Sequence, residues 1–244
     1  MKKVERAMHL KHSLPEILVR LIVTFVGLFM LALGIDLTIL ADLGTDALTS
    51  PALAASTLLE PDYPFFSVGN TLICLHVLLI LSQIVLLRRN YEPVQLLQLV
   101  MSLTLGFMVD ALLPCVKQLP VPDYTAQLGY TLLACVICAF GIFSFVKANL
   151  VPLPAEGFCV ALSRTFRLKF SLVKVGLDCA MVVFAVAFSL IFLDTVVGVR
   201  EGTLICATTI GLIIGLFFNI FPYWDKLFAA VGHRTRAEKE DCFE

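Results

Sequence analysis

"GIDLTILADLGTDALTSPALAAS", residues 34–56, decides how this chain folds. It begins as the tail of an apolar run and then places Asp36, Asp42, Asp46, Gly44 and Pro51 where a clean membrane span would simply finish. A helix needs about 20 mainly apolar residues to cross a bilayer, and a charge at the bilayer centre costs roughly 2.5–3.5 kcal/mol on insertion scales. The first run therefore ends here. The segment that follows, at 44–58, is too short to cross and reads as a re-entrant or interfacial helix.

Outward from that stretch the chain is almost entirely apolar. Of its 244 residues 59% are hydrophobic and 15% charged, against roughly 25% charged in soluble domains, which excludes a soluble protein. Mean hydropathy is +0.93. Six apolar runs lie at 17–40, 67–87, 94–113, 127–146, 172–193 and 203–221. The basic start, "MKKVERAMHLKHSLPEILVR", leads into the first run without a small-residue cleavage site, so it reads as a retained span. Lysines and arginines gather before span one, after span two, between spans four and five, and after span six. The alternate loops 41–66, 114–126 and 194–202 hold only Lys117 and Arg200. By the positive-inside rule both termini are cytoplasmic.

The organisation expected is a cytoplasmic basic N-terminus at 1–16, a three-span repeat at 17–113, an extracytoplasmic linker at 114–126, a second three-span repeat at 127–222 and a cytoplasmic polar tail at 223–244. The repeat shows by alignment. "GIFSFVKANLVPLPAEGFCVALS" at 141–163 echoes 34–56 at an offset of 107, matching Gly34 with Gly141, Ile35 with Ile142, and Asp42 with Asn149. Downstream, Phe66-Ser67 matches Phe170-Ser171, which sets Asn70 opposite Lys174. Ser102, Gly106 and Asp110 match Gly211, Gly215 and Asn219. Residues spaced i, i+4, i+8 share a helix face, so Gly106, Gly211 and Gly215, like Gly34 and Gly141, are expected at close helix contacts. An odd number of spans per repeat inverts the second half. The fold class expected is an all-α integral membrane protein, six transmembrane helices in two inverted triplets, each with a short interrupted helix, the second at 152–165.

Four stretches carry a family resemblance: "ALGIDLTILADLGTDALT" (32–49), "FFSVGN" (65–70), "AEGFCVALSRTFRLKFSLVKVGLD" (155–178) and "REGTLICATTIGLIIGLFFNIFP" (200–222). With them the chain resembles the YczE/YyaS/YitT group of bacterial multi-pass membrane proteins, and its short polar tail is closest to the YczE-like branch. The resemblance implies a bacterial inner-membrane permease of unassigned substrate and carries no site residues across.

Ionisable and amide groups inside or beside spans are the functional candidates. For a solute or coupling ion these are Asp36, Asp42, Asp46, Asn70, Asp110, Asn149, Glu156, Lys174, Asp178 and Asn219. Several have a structural alternative. Lys174 and Asp178 stand four apart and can form an ion pair; Asp46 can cap the helix that follows it; Asp42 can sit on a solvated rim; Glu156 can be a first-turn acid. His76 is the one histidine within a span and reads as a buried imidazole bonded to a neighbour. Cys135 and Cys138 read as small packing residues. Metal-ligand spacing, Ser/His/Asp patterns and phosphate loops are absent from the sequence, so no metal, cofactor or enzyme activity is expected.

The partners expected are the lipid bilayer and a small polar solute, with no nucleic acid, and homo-oligomerisation left open. A secondary transporter is the first reading. A substrate-binding subunit of a larger importer and a non-transporting scaffold are the alternatives.

Overall fold

The computed structural model describes residues 14–88, 91 and 93–221; the basic segment before residue 14 and the tail from 222 lie outside them. Among the described residues the chain is helical, with no strand. The helices are α1 (Leu14–Ala41), α2 (Thr49–Leu59), α3 (Val68–Leu87), α4 (Leu97–Val116), α5 (Tyr124–Ala148), α6 (Pro154–Phe166), α7 (Phe170–Phe192) and α8 (Glu201–Ile220), with a 3-10 turn at Pro93–Leu96 before α4. Six of them, α1, α3, α4, α5, α7 and α8, are long and apolar enough to cross a membrane. They fall on the six apolar runs, their ends shifted by a few residues. The short helices α2 and α6 have 11 and 13 residues. At 1.5 Å per residue they reach about 16 and 20 Å, well below the roughly 30 Å of a hydrocarbon core.

The interruptions have local causes. α1 stops at Asp42 (φ 54°) and α5 at Asn149 (φ 49°), both left-handed. Asp and Asn adopt that conformation more readily than other non-glycine residues, so they end helices where the chain must turn. Each helix end then receives an arginine: Arg200 donates to Asp42 O at 2.9 Å and Arg20 to Ala148 O at 2.7 Å. A cation at free C-terminal carbonyls also complements the helix dipole. On the far side of each break a new helix starts. Asp46 Oδ2 accepts from the backbone N–H groups of Leu48 and Thr49 at 3.2 and 3.3 Å, capping α2. Pro154 sits in the first turn of α6, where its missing N–H costs no hydrogen bond.

α1 and α5 form the centre. A Cβ at Gly141 would stand 2.7 Å from Gly27 O, and one at Gly34 would strike Cys138 Sγ and lie 3.2 Å from Ala134 O. Partner numbers fall along α5 as they rise along α1, so the two helices run antiparallel. Between these contacts Cys138 Sγ lies 3.9 Å from Leu31 O. Around this pair α1 packs on α4 as α5 packs on α8; α3 packs on α6 as α2 packs on α7; and α2 meets α3 as α6 meets α7.

One matched pair departs from this pattern. α3 and α4 are seamed by Gly69 and Gly106, since a Cβ at Gly106 would lie 2.6 Å from Gly69 O. Asp110 then accepts from Ser67 Oγ at 2.6 Å and from Gly69 N at 2.8 Å, and Ser102 bonds His76 Nδ1 at 2.9 Å. α7 and α8 make almost no contact. Gly211 and Gly215, expected at a seam, have none of the described neighbouring atoms within 4 Å of where a Cβ would stand. Asn219 is exposed. α7 and α8 instead both line a cavity, α8 through Gly211 among others. α8 is also held from its start, where Gly202 N donates to Leu43 O at 2.7 Å and Gly198 O accepts from Thr45 N at 2.9 Å and Ser50 Oγ at 2.8 Å. The α7–α8 loop is thereby tied to the α1–α2 break.

Candidate functional site

That cavity, about 360 Å³, is bounded by side chains from all eight helices and from the α1–α2 break. Its size falls within the roughly 300–1,000 Å³ of small-molecule sites. Most of the wall is apolar, including Leu31 and Ile35 of α1, Ile142 of α5, and Ile210 and Ile214 of α8. The polar groups come from the other elements: Asp46 and Thr49 at the start of α2, His76 on α3, Glu156 in the first turn of α6, and Lys174 with Asp178 on α7. Both short helices therefore begin at the same cavity. The far ends of the two breaks, at Asp46–Leu48 and Leu153, thus face the cavity, where backbone outside regular helix is tolerated.

Hydrogen bonding divides these groups. Asp46 is occupied in capping α2. Lys174 Nζ donates to Asp178 Oδ1 at 2.6 Å, an ion pair on adjacent turns that leaves both side chains about one-third exposed. His76 is wholly buried, with Nδ1 at Ser102, and its Nε2 has no hydrogen-bond partner; nor has the buried Oε2 of Glu156. Burial pushes the Glu156 carboxyl above the usual carboxylate range, and Lys174 opposes part of that rise.

The start of α6 is fixed from behind. Gln83 of α3 donates through Nε2 to Gln98 Oε1 at 3.1 Å and to Pro154 O at 3.0 Å. A Cβ at Gly157 would stand 2.5 Å from Gln98 Nε2, so α6 approaches the two amides closely. Two buried glutamines thus lock a short helix whose first turn carries Glu156.

The family described as "Family of unknown function (DUF6198)" matches residues 18–219, most of the chain. The chain belongs to that family. No curated protein and no solved structure matches it.

Of the candidates read from sequence, this DUF6198 chain brings Asp46, Glu156, Lys174 and Asp178 to the cavity. The others lie elsewhere. Asp42 is exposed, with its carboxylate 3.8 Å from Arg200, and Asn149 is exposed at its own break. Both serve the left-handed turn. Asn70 donates to Phe65 O at 2.9 Å in the turn before α3. Asp110 closes the α3–α4 seam. Asp36 is fully buried on α1, outside the cavity wall, with no hydrogen-bond partner for either oxygen.

Sequence reading overlooked Gln83, Gln98 and Thr49. Gln83 interrupts an apolar span, which was the available signal.

Proposed function

We propose that this chain is a secondary transporter of a small solute, with the cavity at the start of α2 and α6 as its solute site. The carrying observation is that two short helices, each following a break in a long one, begin at one partly polar cavity. Interrupted segments at the interface of inverted repeats are where such carriers hold their solutes.

The inverted repeat belongs to this proposal, and three features support it. The helix pairings exchange under a shift of one half onto the other. Asp42 and Asn149, 107 positions apart, end α1 and α5 in the same backbone conformation. Leu31 and Cys138, also 107 apart, touch each other, as counterparts must when they straddle a twofold axis. The open α7–α8 seam opposite the closed α3–α4 seam is the difference expected between halves of a carrier caught in one state. Location in a bacterial inner membrane, cytoplasmic termini and YczE-like kinship are further parts of the same reading.

The test is reconstitution of the purified protein alone. Proteoliposomes on a solid-supported membrane, challenged with a panel of amines, amino acids and carboxylates, should give solute-evoked currents or counterflow for at least one class. Co-purification with motor subunits and silence across the panel would favour the importer-subunit reading instead.

A further inference from the structure

Both short helices offer N-termini to the cavity, an arrangement that ordinarily favours an anion. Here that preference is cancelled by the chain's own acids. Asp46 accepts the free N–H groups of Leu48 and Thr49, and Glu156 stands in the first turn of α6. An entering anion would meet the Asp46 carboxylate and the Glu156 carboxyl where it needed free backbone donors.

The charges in the wall point the same way. Asp46, Glu156 and Asp178 face one cation, Lys174, which is already bonded to Asp178 at 2.6 Å. Two polar atoms, Glu156 Oε2 and His76 Nε2, have no partner. His76 is completely buried, so nothing in the protein or in bulk solvent supplies the missing bond. Leu31, Ile35, Ile142 and Ile210 supply apolar surface in the same cavity.

We infer that the ligand of this cavity is a compact organic ammonium ion with an apolar body, bound in exchange for a proton on Glu156. This rests on the cavity being the solute site proposed above. The ammonium N–H groups donate to Glu156 and, when Nδ1 of His76 carries the ring proton, to Nε2. The hydrocarbon part lies on the isoleucines and leucine of α1, α5 and α8. When the cation enters, Glu156 gives its proton to water, so one positive charge replaces another and no net charge is buried. The groups that act on Glu156 are Lys174 and Asp178 from α7, Asp46 from the α1–α2 break and Cys159 on its own helix, and His76 of α3 lines the same cavity. Among them Lys174 is the cation that favours the ionised form of Glu156, while burial, Asp178 and Asp46 oppose it.

The test is isothermal titration of the purified full chain in detergent with phenethylammonium and, as the matched anion, 3-phenylpropanoate, in two buffers of different ionisation enthalpy. Phenethylammonium should bind with release of close to one proton at low pH, and its affinity should rise by up to about tenfold per pH unit until Glu156 is ionised. Glu156→Gln should remove the proton release and weaken binding by about tenfold or more, and Glu156→Asp should restore the release. If Glu156→Gln does not fold, the proton count and the cation–anion comparison on the native chain still decide. Equal or tighter binding of phenylpropanoate, binding of neither probe, or amine binding without proton release overturns the inference. Amine binding with no flux in liposomes would instead defeat the transporter reading and leave the ligand class standing, whereas flux of a carboxylate would do the reverse.

Discussion

Gly106 and Gly215 align in the sequence at an offset of 109, yet they should answer the same substitution in opposite ways. At Gly106 a Cβ would stand 2.5 Å from Ile73 Cγ1 and 2.6 Å from Gly69 O. The second contact is with backbone, which cannot rotate aside, so α3 and α4 must separate. Overpacking of this kind costs about 1–3 kcal/mol, and separation also stretches the bonds from Ser67 and Gly69 to Asp110. At Gly215 no described neighbouring atom lies within 4 Å. There Ala meets no clash and gains up to about 1 kcal/mol of helix propensity. Gly106→Ala gains the same propensity, so the two variants should differ by the overpacking cost, about 1–3 kcal/mol. The assay is thermal unfolding of both variants in one detergent, followed by size-exclusion fluorescence and repeated in nanodiscs. A Gly215→Ala variant as destabilised as Gly106→Ala would refute the reasoning, because it would mean that α7 and α8 close on each other as α3 and α4 do.

Other outcomes follow from single contacts. Gln83→Leu strands Gln98 in a buried site and frees Pro154 O, so it should cost about 1–3 kcal/mol, with Gln83→Leu/Gln98→Leu recovering part of the loss in the same unfolding assay. Asp42→Asn and Asp42→Gly keep a residue suited to the left-handed turn and should leave stability and solute flux near the native level, while Asp42→Val should lose about 1–2 kcal/mol. Glu156 titrates above its unfolded value of 4.5, so between that value and its folded one the native chain binds more protons than the unfolded chain. Its contribution to stability is fully present at the acid end and is lost as pH rises through the folded pKa. Unfolding midpoints measured across pH 4 to 8 should carry this falling component in the native chain and lack it in Glu156→Gln.

The span count was legible because length and hydropathy alone decide whether a helix can cross, and α1, α3, α4, α5, α7 and α8 all satisfy both. The two breaks were legible too, from Asp42, Gly44 and Pro51 in one half and Asn149, Pro152 and Pro154 in the other. What Asp42 and Asn149 do there was not. A solute contact and a left-handed helix end call for the same two residue types, and only the backbone angle separates them. Gly211 and Gly215 show a second limit. Their spacing matches that of Ser102 and Gly106, but whether a small-residue face meets a partner depends on where the helix is placed, and the start of α8 is bonded to the distant α1–α2 break through Gly202–Leu43 and Gly198–Ser50. Asp110 reads as a buried charge awaiting a solute, yet it is satisfied by Ser67 and Gly69. Gln83 and Gln98 were passed over because amides in apolar runs attract less notice than charges do, although together they position α6.

The claim that the cavity is a passage rather than a closed store is tested most directly at Thr49, which lines it from the start of α2. In a cysteine-free background, Thr49→Cys is reconstituted in sealed vesicles of known orientation and exposed to a membrane-impermeant maleimide from one face at a time, at pH 6 and pH 8 and with or without phenethylammonium. Labelling should occur from both faces, with the ratio of the two rates shifting between conditions. Labelling confined to a single face under every condition, or absent from both, would contradict the account.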